Sequence, residues 1–121
     1  MAIQISYADH FGTTHGSSYV RIRAVQVLTT SSGVSHAIVD WEMFVSAAAR
    51  SKSDTDSMKS VIMSGSYLVD GSDFTTYFAD SVLDDTNKSP MKQAYAWLKT
   101  KNDATDNSGY GINWTTGTTD V

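Results

Sequence analysis

Lys88-Ser89-Pro90-Met91-Lys92-Gln93-Ala94-Tyr95-Ala96-Trp97-Leu98-Lys99-Thr100 is the stretch whose reading decides the fold. Ser89 has the chemistry of an N-cap, because its hydroxyl can accept a hydrogen bond from a free backbone N–H of the first turn. Pro90 then falls at the first helical position, where its missing N–H costs nothing and its φ is already helical. Met91, Ala94, Tyr95 and Leu98 recur at i, i+3, i+4 and i+7, one apolar stripe of a helix of period 3.6. Lys99 and Lys101 fall where the last turn presents unpaired carbonyls and favours positive charge. The spacing predicts a helix over about 90–101. No other segment carries a comparable helix signature, so the remainder has to be arranged around one docked helix.

Outward from that helix, the pattern changes from a period near four to a period of two. Ile3, Ile5 and Tyr7 alternate with Gln4 and Ser6 as a short half-buried strand. A loop is expected over Asp9–Gly16, and a long strand over Ser18–Thr30, rich in β-branched residues. On that strand Val20, Ile22, Ala24 and Leu28 are expected on one face, with Arg21 and Arg23 on the other. Thr29–Gly33 reads as a turn. Ala37, Val39, Trp41, Met43 and Val45 then alternate with Asp40 and Glu42, which predicts a hairpin with the arginines opposite these carboxylates. Opposite charges across a strand pair of this kind contribute about 0.2–1 kcal/mol.

Ser46–Asp56 is read as a long polar connection with a short helical turn around Ala47–Arg50. Val61, Met63, Gly65, Tyr67 and Val69 alternate again, and Asp70-Gly71-Ser72 ends that strand. Phe74–Leu83 is ambiguous: Phe74, Tyr77 and Phe78 have helical spacing, but the residue types favour a strand, and a short strand or turn is expected. Asn102–Val121 is polar apart from Tyr110, Ile112 and Trp114 in alternation. These readings predict an α+β fold: mainly an antiparallel sheet, or a small barrel or sandwich. One C-terminal helix packs on the sheet, residues 1–101 form a single domain, and 102–121 form an extended C-terminal arm.

Composition narrows the function. At 121 residues the chain is expected to form one domain. Charged residues are only 18%, below the usual quarter, and Ser, Thr, Gly and Asn replace them, which suits β structure and packed assemblies. A net charge of -4, without a basic stripe, argues against nucleic acid. The absence of cysteine excludes disulfides, thiolate zinc sites and thiol catalysis. No stretch is apolar enough to span a bilayer as a helix. The first residues lack the basic and apolar regions of a signal peptide, so synthesis in a cytoplasm without secretory export is expected.

No catalytic constellation emerges. Asp9, His10 and His15 lie close together, but their spacing matches no common metal motif, and a hydrogen-bonded loop is the expectation. Asp40 and Glu42 resemble paired carboxylates, yet with arginines opposite they read as an ion-pair ladder. Asp54, Asp56, Asp84 and Asp85 fall in polar loops. Gly109-Tyr110-Gly111 is too short for a phosphate loop. Trp41 reads as core. Trp97 lies off the helix stripe, and Tyr110, Ile112 and Trp114 lie in a segment too polar to make its own core. These four residues are the candidate interaction residues, because Trp and Tyr dominate interface hot spots. No cofactor or metal is expected.

Two blocks resemble a known class. Phe11-Gly12-Thr13-Thr14-His15-Gly16-Ser17-Ser18-Tyr19-Val20-Arg21-Ile22, leading into the long strand, and Pro90-Met91-Lys92-Gln93-Ala94-Tyr95-Ala96-Trp97-Leu98-Lys99-Thr100 are similar to blocks of small tailed-bacteriophage virion proteins, in the same order. The chain departs from that pattern over Ser51–Met58 and in its Thr/Gly-rich end. The resemblance implies a non-enzymatic structural subunit of tail, baseplate or neck, with a capsid cement protein next, assembling with copies of itself and other virion proteins. The alternative is a small β-rich carbohydrate- or ligand-binding module, in which Trp97, Tyr110 and Trp114 would serve as stacking platforms.

Overall fold

Five antiparallel strands make one sheet, and the alternation of apolar residues decides which face of it is covered. In the computed structural model, which describes residues 2–8, 11–29, 35–46, 48, 61–85, 87–103, 110–115 and 118–121, the strands are β1 (Ile3–Ala8), β2 (Thr14–Thr29), β3 (Ser35–Phe44), β4 (Val61–Val69) and β5 (Thr119–Asp120). Their order across the sheet is β4-β3-β2-β1-β5. Among the described residues three helices follow β4: α1 (Gly71–Tyr77), α2 (Asp80–Leu83) and α3 (Pro90–Leu98). The fold is therefore α+β and mainly sheet. None of the helices in the described residues is long and apolar enough to cross a membrane.

The long hairpin forms as expected. Arg21 stands opposite Glu42, and Ile22 opposite Trp41. The alternation does not run through β2 unbroken, however. A bulge between Ile22 and Ala24 places Arg23 and Ala24 together against Asp40, and an extra residue in one strand reverses the face of everything beyond it. Val20 and Ile22 point inward before the bulge; beyond it Val25 and Val27 pack on the core. Leu28, expected inside, is 43% exposed on the outer face.

Helix α3 begins as the sequence predicts: the Ser89 hydroxyl accepts from the Lys92 N–H at 3.2 Å. It lies over β2. Ala94, Tyr95 and Leu98 of the stripe are buried, whereas Met91 is 38% exposed and Trp97 takes the fourth core position. The expectation of a strand or turn over Phe74–Leu83 is overturned, since α1 and α2 occupy it. Phe74 and Phe78, four residues apart, are both buried, and that shared face outweighs the β preference of the residue types. The hydroxyls of Thr75 and Thr76 donate to the carbonyls of Gly71 and Ser72, four residues back, which accommodates both threonines within helical backbone. Gly71, at φ 58°, makes the turn from β4 into α1.

The segment after the helix returns to the domain. Asn102 and Asn113 form an antiparallel bridge, Trp114 N–H donates to the Lys101 carbonyl at 2.9 Å, and Ala2 and Val121 exchange two backbone bonds. Strand β5 pairs with Ile3 and Gln4 of β1. The described parts of 102–121 are thus built into the sheet and the core. The expected helical turn at 47–50 and the connection through residue 60 lie outside the described residues, apart from Ala48, which is helical.

Candidate functional site

The aromatic residues singled out from sequence come together, but inside the protein. Trp97, Ile112 and Trp114 are 2%, 4% and 0% exposed, so the surface that was expected to come from a partner is supplied by this chain's own sheet. The Trp114 ring meets Trp41 edge-on at 5.2 Å, and Trp97 meets Tyr67 edge-on at 5.5 Å. Tyr110 is half-buried and stands edge-on to both Trp41 and Tyr67, at 5.1 and 5.2 Å. Edge-to-face pairs of this kind add about 0.5–1.5 kcal/mol each beyond the area they bury.

A polar network threads this cluster. The Tyr67 hydroxyl donates to Asp103 Oδ2 at 2.6 Å and accepts from Trp114 Nε1 at 3.1 Å. Asp103, 1% exposed, also accepts from the Tyr110 backbone N–H at 3.3 Å, and Lys101 Nζ lies 3.8 Å from its other oxygen. Trp97 Nε1 donates to Asp73 of α1 at 3.2 Å. Burial, and then the donated bond to Asp103, hold the Tyr67 phenol well above the usual tyrosine range. The groups named in this network are partnered, as buried polar groups require, whereas Nε1 of Trp41, at the centre of the same cluster, is buried without a hydrogen-bond partner among the described residues. Its role is to fix the C-terminal segment on the sheet. The alternation of the sequence set Tyr67 on one face with Val61, Met63 and Val69, but nothing in it pointed to Asp73 or Asp103, whose partners lie far away along the chain. Gly65 did carry a signal, because an interior strand glycine marks close approach by another group.

Tyr110 does more than fill space. Its hydroxyl accepts from the Ser66 N–H at 2.7 Å and donates to the Ser66 carbonyl at 3.0 Å. Ser66 sits opposite Asp40, and these two bonds show that its backbone groups point away from β3, toward the outer edge of the sheet. In an antiparallel ladder every second residue does so, which gives Ser64 and Leu68 the same outward backbone. The phenol of Tyr110 therefore caps one position of an edge that pairs with no other strand among the described residues. Tyr95 plays the same part elsewhere: its hydroxyl accepts from the Ile22 N–H at 2.8 Å, just beyond the last β1–β2 pair, Ile3 with Val20.

The other sequence candidates resolve as structural contacts. Arg21 pairs with the buried Glu42, and Arg23 Nη2 lies 3.8 Å from Asp40, the ladder that the hairpin implied. His15 lies in β2 opposite Tyr7; Asp9, His10, Asp54 and Asp56 lie outside the described residues. Asp84 and Asp85 are exposed. Among the described residues no group of three or more His, Asp or Glu is placed to hold a metal ion. A groove of about 350 Å³ runs between Ile5–Ala8 of β1 and Gly111–Asn113.

The outer face of the sheet is the more distinctive surface. Leu28 and Leu68 are 43% and 60% exposed, and between them Ile38 is the direct cross-strand neighbour of Leu68. Helices α1 and α3 and Trp114 pack on the opposite face, so these aliphatic side chains face outward. No family model, curated protein or solved structure matches the chain.

Proposed function

We propose that this chain is a structural subunit that works through protein–protein contacts in an assembled particle, as a small virion protein of a tailed bacteriophage. The position favoured is tail, baseplate or neck, with capsid cement next. The observation that carries the reading is the aliphatic strip that Leu28, Ile38 and Leu68 form at one end of the sheet's outer face, away from the buried Phe44 and Glu42 at the other end and opposite the face that carries the core. Exposed apolar surface next to polar strand residues is the composition of a protein contact surface. The resemblance of the 11–22 and 90–100 blocks to virion proteins supplies the setting. Partners are copies of the chain and other virion proteins, and the reading assigns no reaction and no cofactor.

The carbohydrate-binding alternative loses two of its three platforms, because Trp97 and Trp114 offer no ring face to solvent, and the half-buried Tyr110 is engaged with Ser66. The expected C-terminal arm takes a different part in assembly: its apolar side chains anchor it to its own domain, and Tyr110 places a hydroxyl on the sheet edge.

The test is co-sedimentation. Particles purified through a density gradient from lysates of the producing host are expected to contain the chain at a fixed ratio to the major virion proteins. Finding it only in the soluble fraction overturns the proposal.

A further inference from the structure

We propose that the outer edge of β4 is a self-association site, where β4 of a second copy adds antiparallel to it, and that the Tyr110 hydroxyl gates this site. The inference deepens the assembly reading above and rests on it for its biological setting. It rests on the β4 geometry for its physics.

Three observations carry it. First, β4 is nine residues long, reads Val61-Ile62-Met63-Ser64-Gly65-Ser66-Tyr67-Leu68-Val69, and contains no charge and no proline; its one irregularity, the extra residue at Ile62 between the pairs Met43–Met63 and Phe44–Val61, lies at its start, and Met63–Val69 pair regularly with β3. Sheet edges that are kept from pairing usually carry such residues, or are very short. The opposite edge shows that protection: β5 has two residues, and Asp120 there binds Lys99 Nζ at 3.0 Å. Second, the carboxylates that β3 sets directly opposite β4 already have partners. Asp40 is bonded to the Ser66 hydroxyl and lies near Arg23, and Glu42 is paired with Arg21. Two copies of a chain of net charge -4 can meet along this strand without setting like charges against each other.

Third, the edge is self-complementary in one register. Ser64, Ser66 and Leu68 direct their backbone groups outward, so a two-fold axis at Gly65 sets Ser64 opposite Ser66 of the second copy. The same register sets Leu68, 60% exposed, opposite Ile62 of the second copy, 37% exposed in the single chain. An isologous contact of this kind closes on itself as a dimer, and main-chain bonds supply the affinity while the aliphatic pairs fix the register.

In the single chain the Tyr110 hydroxyl holds both the N–H and the carbonyl of Ser66, the groups this register uses. The hydroxyl must leave Ser66 before the second strand can pair there. Gating is therefore a competition between an intramolecular phenol and an intermolecular strand for the same two backbone groups. The phenol is carried by the segment that Asp103 anchors through the Tyr110 N–H.

The test is sedimentation velocity over a concentration series with four proteins: the unaltered chain, Tyr110→Phe, Leu68→Lys and the two changes together. Tyr110→Phe retains the ring over Gly65 and loses only the competing hydroxyl, so its dimerisation constant is expected to tighten by about tenfold or more. Leu68→Lys puts a charge on the edge and is expected to abolish dimer alone and in the double variant. Near-ultraviolet circular dichroism matching the unaltered chain confirms that each variant is folded.

Because the chain has no cysteine, the register is testable separately. A mixture of Ile62→Cys and Leu68→Cys is expected to form a disulfide dimer under mild oxidation, whereas either alone is not. Tyr110→Phe associating no more strongly than the unaltered chain overturns the gate, and dimer that survives Leu68→Lys overturns the edge. Monomeric variants alongside particle co-sedimentation would end this inference and leave the assembly reading intact; a dimer absent from particles would do the reverse.

Discussion

A Cβ placed on Gly65 would lie 2.3 Å from Cζ of Tyr110, so the tyrosine ring occupies the space that any other side chain at 65 would fill. Gly65 stands opposite Trp41 in the β3–β4 register, and the gap it leaves beside that indole is filled by a ring from 45 positions further along the chain. An aromatic ring covering a strand glycine restores packing that the glycine removes. Glycine, tyrosine and tryptophan here form one unit.

Gly65→Ala is accordingly expected to destabilise the fold by about 1–3 kcal/mol, since Tyr110 must shift or β4 must bend. Urea unfolding followed by tryptophan fluorescence measures it. The same variant frees the Ser66 backbone, so a dimer at high concentration is its expected second effect.

Leu98→Ala should cost about 2–5 kcal/mol through the cavity left under α3, and Ser89→Ala about 1 kcal/mol through the lost cap. Leu98 is fully buried, whereas the Ser89 contribution is one bond at the helix start. Equal denaturation midpoints for the two variants would show that α3 does not carry the core contact described.

Tyr95→Phe removes the hydroxyl that accepts from the Ile22 N–H at 2.8 Å. An unsatisfied buried donor costs about 1–3 kcal/mol. Thermal unfolding should show the loss without a change in secondary structure, and faster hydrogen exchange should be confined to the amide of Ile22 and its neighbours.

Tyr67 makes stability depend on alkaline pH. Its phenol is held above the ordinary value near 10 by burial and by the bond to Asp103. The folded state therefore keeps a proton that the unfolded state releases. This contribution is complete below about pH 10 and declines as pH rises above it. Absorbance at 295 nm should show the Tyr67 phenol ionising only as the chain unfolds. Tyr67→Phe should remove that step, while destabilising the protein at neutral pH because Trp114 Nε1 and Asp103 lose their shared partner.

A chain ending at Lys101 is expected to lose its cooperative unfolding transition. The removed residues include the buried Ile112 and Trp114, the buried Asp103 and the strand that pairs with β1. A cooperative melt near that of the full chain would show that residues 102–121 are dispensable to the core.

The sequence by itself determined the local elements whose causes are local. Ser89 and Pro90 start α3, the alternation of Ala37, Val39, Trp41 and Met43 turns these four to the core face of β3, and the charge order of Arg21, Arg23, Asp40 and Glu42 matches the hairpin register. Each of these depends on neighbours within a few residues or across one turn. What needed the tertiary structure depended on groups distant in the chain. The bulge at Arg23 carried Leu28 to the outer face, because a single extra residue reverses a strand with little trace in composition. Phe74 and Phe78 chose a helix because the covered face of the sheet offered a place for a shared side. Trp97, Ile112 and Trp114 are apolar in the sequence whether their cover comes from a partner or from the same chain, and only the return of the C-terminal segment onto Trp41 and Tyr67 decided between them. The same return brought Tyr110 to Gly65 and Ser66, a contact set by shape and by two backbone bonds that no spacing of residues along the chain encodes.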